Sequence, residues 1–265
     1  MTIFPDETHT SSRRPPVVLS LSGHDPTGGA GIQADIESIR AQGVHALTLI
    51  TALTAQDTQD VLAVYPQDPQ HFLRQADCLL KDCTVDVFKI GLLGSAEIAL
   101  AVASILEDHA HVPVVLDPVL AAGGGRDLAQ RALLEVLTER ILPQTRLVTP
   151  NSLEARRLAG VEMLDESAVR IQAMGCPNVL ITGTHEESIQ VVNRWYGSSA
   201  RQDYRFARLP YDYHGSGCTL AASIAAFMAL EMPLALAIER GQKATYAALS
   251  GAKRLGRGQW LPTRG

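Results

Sequence analysis

Four cysteines in 265 residues, with no Cys-x-x-Cys pair and no Cys/His metal spacing, argue against a disulfide framework or a structural zinc site. Cys78, Cys83, Cys176 and Cys218 therefore read as reduced thiols of a cytosolic chain. No run of about 18 apolar residues occurs, which excludes a membrane-spanning helix. Residues Met1 to Pro16 lack the apolar stretch of a signal peptide and read as a disordered leader. No basic stripe stands out: Lys+Arg number 23 against 28 Asp+Glu, a net charge of −5, which argues against nucleic acid or an anionic membrane as partner. Internal repeats and low-complexity linkers are missing too, so residues 17–265 read as one domain. Aromatic residues make up only 5%, while the chain is 46% hydrophobic, enough for one substantial core.

What is present alternates in type. Apolar runs of strand length fall at Val17 to Leu21, Ala46 to Leu53, Val61 to Tyr65, Val87 to Ile90, Val114 to Leu116, Arg146 to Thr149 and Val179 to Thr182. Helical patterns separate them at Ile32 to Gln42, Pro69 to Lys81, Ala96 to Asp108, Leu128 to Arg140, Ser152 to Leu158 and Ser167 to Met174. Ile189 to Tyr196 and Tyr204 to Leu209 suggest an antiparallel pair at one edge, and two long apolar helices follow at Thr219 to Leu230 and Leu234 to Leu255. This order predicts an α/β fold, a mainly parallel central sheet with helices on both faces. In such sheets ligands sit beyond the carboxyl ends of the strands. Polar punctuation falls at those ends: Ser22-Gly23-His24-Asp25, Thr54-Ala55-Gln56-Asp57, Asp117-Pro118 and Thr149-Pro150-Asn151.

The sharpest local signal is His214-Gly215-Ser216-Gly217-Cys218-Thr219, which runs straight into an apolar helix. Its glycines let backbone approach a ligand, and free N–H groups at a helix start attract negative charge, such as that on a phosphoryl group in transfer. The helix dipole favours a thiolate there, so Cys218 is a candidate proton acceptor. The same residues also suit a plain turn that buries a small side chain. A second glycine loop, His24-Asp25-Pro26-Thr27-Gly28-Gly29-Ala30-Gly31, leads into a helix bearing Asp35 and matches neither a dinucleotide nor a Walker pattern.

Together with Gln56, Lys89-Ile90-Gly91-Leu92-Leu93, Asp117-Pro118-Val119 and Pro150-Asn151-Ser152-Leu153-Glu154, these loops resemble the hydroxymethylpyrimidine/phosphomethylpyrimidine kinase family of thiamine biosynthesis, in the same order from about Val17 onward. The resemblance implies a ribokinase-like fold, ATP and Mg²⁺, a homodimer, and successive phosphorylation of 4-amino-5-hydroxymethyl-2-methylpyrimidine to its mono- and diphosphate. It assigns Cys218 as base, Gly215, Ser216 and Gly217 as anion hole, and Gln56 as the reader of the pyrimidine. Asp35, Gly23, Leu92 and Val119 would line the substrate pocket, with Asn151, Thr182, Gly183 and His214 on the nucleotide and Asp117 and Glu154 at the metal. A Gln amide both donates and accepts, as an aminopyrimidine edge requires. Asn151 and Glu154 equally fit a capping box at a helix start.

Two positions depart from the family's pattern. Ile181-Thr182-Gly183-Thr184-His185 stands where members often read Met-Lys-Gly-Gly-His, so a lysine contact to the triphosphate is missing. Leu92 replaces a common Met at similar volume. A pyridoxal kinase and a non-catalytic sensor of a thiamine precursor or nucleotide are the competing readings.

Overall fold

The computed structural model describes residues 14–120, 131–198 and 201–265. The chain opens with β1 (Val17–His24), α1 (Gly31–Ala41), β2 (His45–Gln56), β3 (Val61–Pro66) and α2 (Pro69–Asp82). It continues through β4 (Val87–Ile90), α3 (Ala96–Asp108), β5 (Val114–Leu116), α4 (Arg131–Val136), β6 (Leu147–Val148) and α5 (Ser152–Ala159). The remaining elements are α6 (Leu164–Ala173), β7 (Val179–Ile181), β8 (Gln190–Tyr196), β9 (Arg201–Ala207), α7 (Ser216–Ala229) and α8 (Leu234–Ser250).

Among the described residues the nine strands form one sheet in the order β3-β2-β1-β4-β5-β6-β7-β8-β9. From β2 to β7 across the sheet every neighbouring pair is parallel. The edges are antiparallel, with β3 on β2 and the β8–β9 hairpin on β7. β4, β5, β6 and β7 are buried at every residue, because helices cover both faces. Val18, Val87, Val115, Leu147 and Leu180 pack with α7 and α8 on one face; Leu19, Leu21, Phe88, Ile90, Val148 and Ile181 pack with α2, α3, α5 and α6 on the other.

Local chemistry marks several helix starts. Asp68 accepts from the His71 N–H with Pro69 in the first turn of α2, and Ser95 accepts from the Ile98 N–H to open α3. The chain leaves β1 for β2 on one side and returns to β4 on the other. The carboxyl ends of β1 and β4 therefore border a topological switch point, where α/β sheets bind ligands.

Some expected boundaries move. The helix expected over Leu234 to Leu255 stops at Ser250, with Gly251 as its cap; Leu255 stays exposed and Lys253 bridges to Leu261. Of the helix expected from Leu128, residues 128–130 lie outside the described residues, and Arg131–Val136 is α-helical before widening to a π turn at Leu137–Ile141. β9 starts three residues before Tyr204 because the edge strand pairs along the whole of β8, from Tyr196↔Arg201 onward. α6 likewise begins at Leu164, ahead of Ser167. Residues 1–13 of the expected leader lie outside the described residues, and Arg14 forks onto Asp86. Among the described residues no helix is long and apolar enough to cross a membrane.

Candidate active site

Two glycine loops meet at the carboxyl edge of the sheet. The first, Asp25 to Ala30, links β1 to α1, and the second, His214-Gly215, opens α7. Gly215 has φ +74° and caps α7, and a Cβ there would lie 1.8 Å from the Gly29 carbonyl oxygen. No other residue fits that contact. α7 begins at Ser216, so Ser216, Gly217 and Cys218 form its first turn, where N–H groups lack helical partners.

Asp25 organises the junction. Its carboxylate accepts from the Thr27 and Ala30 N–H groups at 2.8 Å and from the Thr27 hydroxyl at 2.9 Å. Its Oδ2 also lies 2.9 Å from His214 Nε2. Burial alone would raise the Asp25 carboxyl, but hydrogen bonds from His214, Gln56 and Thr27 hold it well below the usual carboxylate range. Thus His214, read as a nucleotide contact, has this ring nitrogen committed to Asp25. Gln56, read as the pyrimidine reader, ends β2 half-buried beside the same carboxylate. A cavity of about 400 Å³ lies against it, lined by Pro26, Thr27, Gln56, Thr58, Gly256 and Arg257.

Beneath the α7 start lies a buried charge cluster. Lys89 Nζ donates to Asp35 Oδ2 at 2.8 Å, with both side chains fully buried, and the Ser20 hydroxyl donates to the same oxygen at 2.6 Å. Burial would lower Lys89, but Asp35, Cys218 and Asp117 together hold it above its ordinary value. Asp35, expected to line the substrate pocket, therefore has no solvent contact and meets the site through Lys89. Asp117 follows β5, and its Oδ1 lies 3.4 Å from where a Gly217 Cβ would stand. Its Oδ2 is buried without a hydrogen-bond partner, and burial raises its carboxyl.

Cys218 is buried in this cluster, and burial pushes its thiol up to about 12 despite the nearby Lys89. Burial thus opposes the helix dipole that would favour a thiolate at this position. Gly23 and Leu92 lie close across the switch point: a Cβ added at Gly23 would stand 2.8 Å from Leu92 Cδ2. Val119 follows Asp117 on the same crossing and is partly exposed.

Asn151 and Glu154 form a complete capping box on α5. The Asn151 side chain accepts from the Glu154 N–H, and Glu154 Oε2 accepts from the Asn151 N–H, each at 2.9 Å. Glu154 Oε1 also accepts from the Leu120 N–H at 3.2 Å, tying α5 to the segment after Asp117. Burial, with Asp117 nearby, pushes Glu154 up to about 8. Thr182 bridges to Asn151 through backbone. The Gly183 N–H, expected at the nucleotide, donates to Asn193 Oδ1 at 3.0 Å. Among the described residues, no three His, Cys, Asp or Glu converge as a metal cage.

Sequence reasoning missed Lys89 as a site residue. Its signal was a lone charge inside Val87-Phe88-Lys89-Ile90, a strand otherwise apolar and so destined for burial. Asp25 carried only the signal of its loop.

This sheet order, with two glycine loops meeting over a helix start, defines an α/β kinase of the ribokinase-like class. The family model described as phosphomethylpyrimidine kinase matches residues 25–263, and the chain belongs to that family. It is 34% identical over 251 residues to the hydroxymethylpyrimidine/phosphomethylpyrimidine kinase of Haemophilus influenzae, covering 91% of this chain and 93% of that one. To the thiamine biosynthesis bifunctional protein ThiED of Geobacter sulfurreducens it is 39% identical over 247 residues, 91% of this chain but only 50% of that longer protein. An ADP complex of Bacillus subtilis pyridoxal kinase superposes with TM-score 0.88 at 26% identity, over 95% of this chain and 98% of the other.

Proposed function

We propose that the chain transfers the γ-phosphoryl group of ATP to the hydroxymethyl oxygen of 4-amino-5-hydroxymethyl-2-methylpyrimidine, and then a second one to the phosphate so formed. The observation that carries this reading is the meeting of Gly29 with Gly215 over the α7 start, an anion site built of backbone. In each step an acceptor oxygen forms a bond to Pγ as the bond from Pγ to the β-bridging oxygen breaks and ADP leaves. The N–H groups of Ser216, Gly217 and Cys218 hold the negative charge of the group in flight. Gln56 reads the pyrimidine edge in a pocket with Gly23, Leu92 and Val119, while Asn151 and Thr182 border the nucleotide.

Cys218 meets the acceptor as a neutral thiol. In a loose transition state the hydroxyl proton leaves late and passes to an oxygen of the transferred phosphoryl group and on to solvent, so the reaction does not need a thiolate beforehand. The donor set also suits Mg²⁺, because Asp117 Oδ2 is an orphaned buried oxygen beside the Glu154 carboxyl. Bound there with the nucleotide, the ion would neutralise phosphate charge; Asp117 and Glu154 would hold it, largely through water. Glu154→Gln is expected to raise the Mg²⁺ concentration for half-maximal rate, and an unchanged titration assigns Glu154 to the capping box alone. The family resemblance also carries a homodimer in the cytosol, which size-exclusion chromatography and cell fractionation check.

ADP release measured with the alcohol, its monophosphate and pyridoxal as separate acceptors tests the function. Turnover of the first two supports it, turnover of pyridoxal alone makes the chain a vitamin B6 kinase, and no release with any acceptor leaves a binding protein.

A further inference from the structure

The segment after α8 straps the site together. Gly258 N–H donates to the Thr58 hydroxyl at 3.0 Å and Gln259 N–H to the Thr58 carbonyl at 2.8 Å, two residues beyond Gln56. Trp260 then pairs with the second glycine loop: its N–H donates to Asp212, its carbonyl accepts from His214, and its ring stacks on Tyr211 at 3.9 Å between centroids. At the end of the strap the Arg264 side chain turns inward and is 2% exposed.

The Arg264 guanidinium donates to four acceptors on three elements: the first glycine loop, α1 and α7. Nε donates to the Thr219 hydroxyl at 2.8 Å, in the first turn of α7 beside Cys218. Nη1 donates to the Gly28 carbonyl at 3.3 Å and to Glu37 Oε2 at 3.1 Å, and Nη2 donates to the Gly29 carbonyl. The Gly29 carbonyl is the group that abuts Gly215, so it is held between the guanidinium and the anion hole. A planar fork with several donors spans these acceptors, whereas an ammonium is a compact point charge. Arg264 lies just beyond the stretch that the family model matches.

We infer that Arg264 is a positioning residue for phosphoryl transfer, fixing the first glycine loop and the α7 start relative to each other. The inference rests on the kinase reading given above. Thr219 also donates to the Gly215 carbonyl, so Arg264, Thr219 and Gly215 form one continuous path from the strap to the anion hole. Misplacing reacting groups by about 1 Å costs about 100-fold in rate. A contact that merely stabilises the fold would lower the melting temperature and leave the rate per folded molecule alone.

The test compares Arg264→Met and Arg264→Lys with wild type, well below their melting temperatures and corrected for folded fraction by circular dichroism. Expected are a kcat lower by about 10- to 100-fold for Arg264→Met and a smaller loss for Arg264→Lys. The KM for ATP should stay within about threefold, since the loss is in transition-state alignment. Hydrogen exchange supplies a readout independent of activity: amides of 25–31 and 214–219 should exchange faster together, with β4 to β6 unchanged. A wild-type kcat in either folded variant overturns the inference, as does faster exchange in one loop alone. Should Arg264→Met fail to fold, Arg264→Lys decides by the same criteria. Wild-type protein that releases no ADP defeats the kinase reading instead, and the exchange result then decides whether the clasp exists.

Discussion

Lys89 and Asp35 form an ion pair of 2.8 Å with neither side chain in contact with solvent, directly under the helix start that carries Cys218. Such a pair is costly to half-remove. Lys89→Met strands a buried carboxylate and should lower stability by about 3–5 kcal/mol. Lys89→Met/Asp35→Asn removes both members of the pair and should recover part of that loss. Urea midpoints of the three proteins check this; a double variant no more stable than the single one assigns the loss to packing around the lysine stem.

Cys218→Ala separates two roles for the thiol. Because burial keeps it protonated, its removal should lower kcat for the alcohol and for the monophosphate by similar factors, within about threefold of each other. Parallel assays on purified acceptors measure the ratio. A monophosphate is largely ionised at neutral pH and needs no base, so a much larger loss with the alcohol would restore Cys218 as the proton acceptor.

Gln56→Leu should raise the KM for the pyrimidine far more than that for ATP. It leaves an amino group and a ring nitrogen unpaired in a pocket, about 1–3 kcal/mol, or about 5- to 150-fold. Steady-state kinetics on both substrates decide it. Equal effects on both would mean that Gln56 serves only to hold Asp25.

Arg156 grips Glu186 through two parallel hydrogen bonds of 2.8 and 3.0 Å, the largest of the interactions, with Ser152 next, that hold the carboxyl down to about 2. A carboxyl lowered on folding contributes stability that is complete above its ordinary value near 4.5 and is lost as pH falls toward 2. The melting-temperature gap between wild type and Arg156→Met should therefore be widest above pH 4.5 and close toward pH 2. A gap that does not vary with pH would mean the arginine acts through packing.

The alternation of apolar runs with helical patterns determined the α/β class, because strands buried on both faces must be apolar end to end. It also pointed to the candidate site, since polar residues gather at the carboxyl ends of those runs, and Gly31 and Gly215 stand where backbone meets backbone. Pairings across the sequence were decided by tertiary structure alone. His214 meets Asp25, Lys89 meets Asp35 and Arg264 meets Gly29, separated by 189, 54 and 235 positions. No local pattern encodes which distant group will satisfy a buried charge. Burial likewise set the state of Cys218: the sequence places a thiol at a helix start, where the dipole lowers its pKa. Only the fold shows that it is buried among charged groups, where desolvation works against the dipole and raises it.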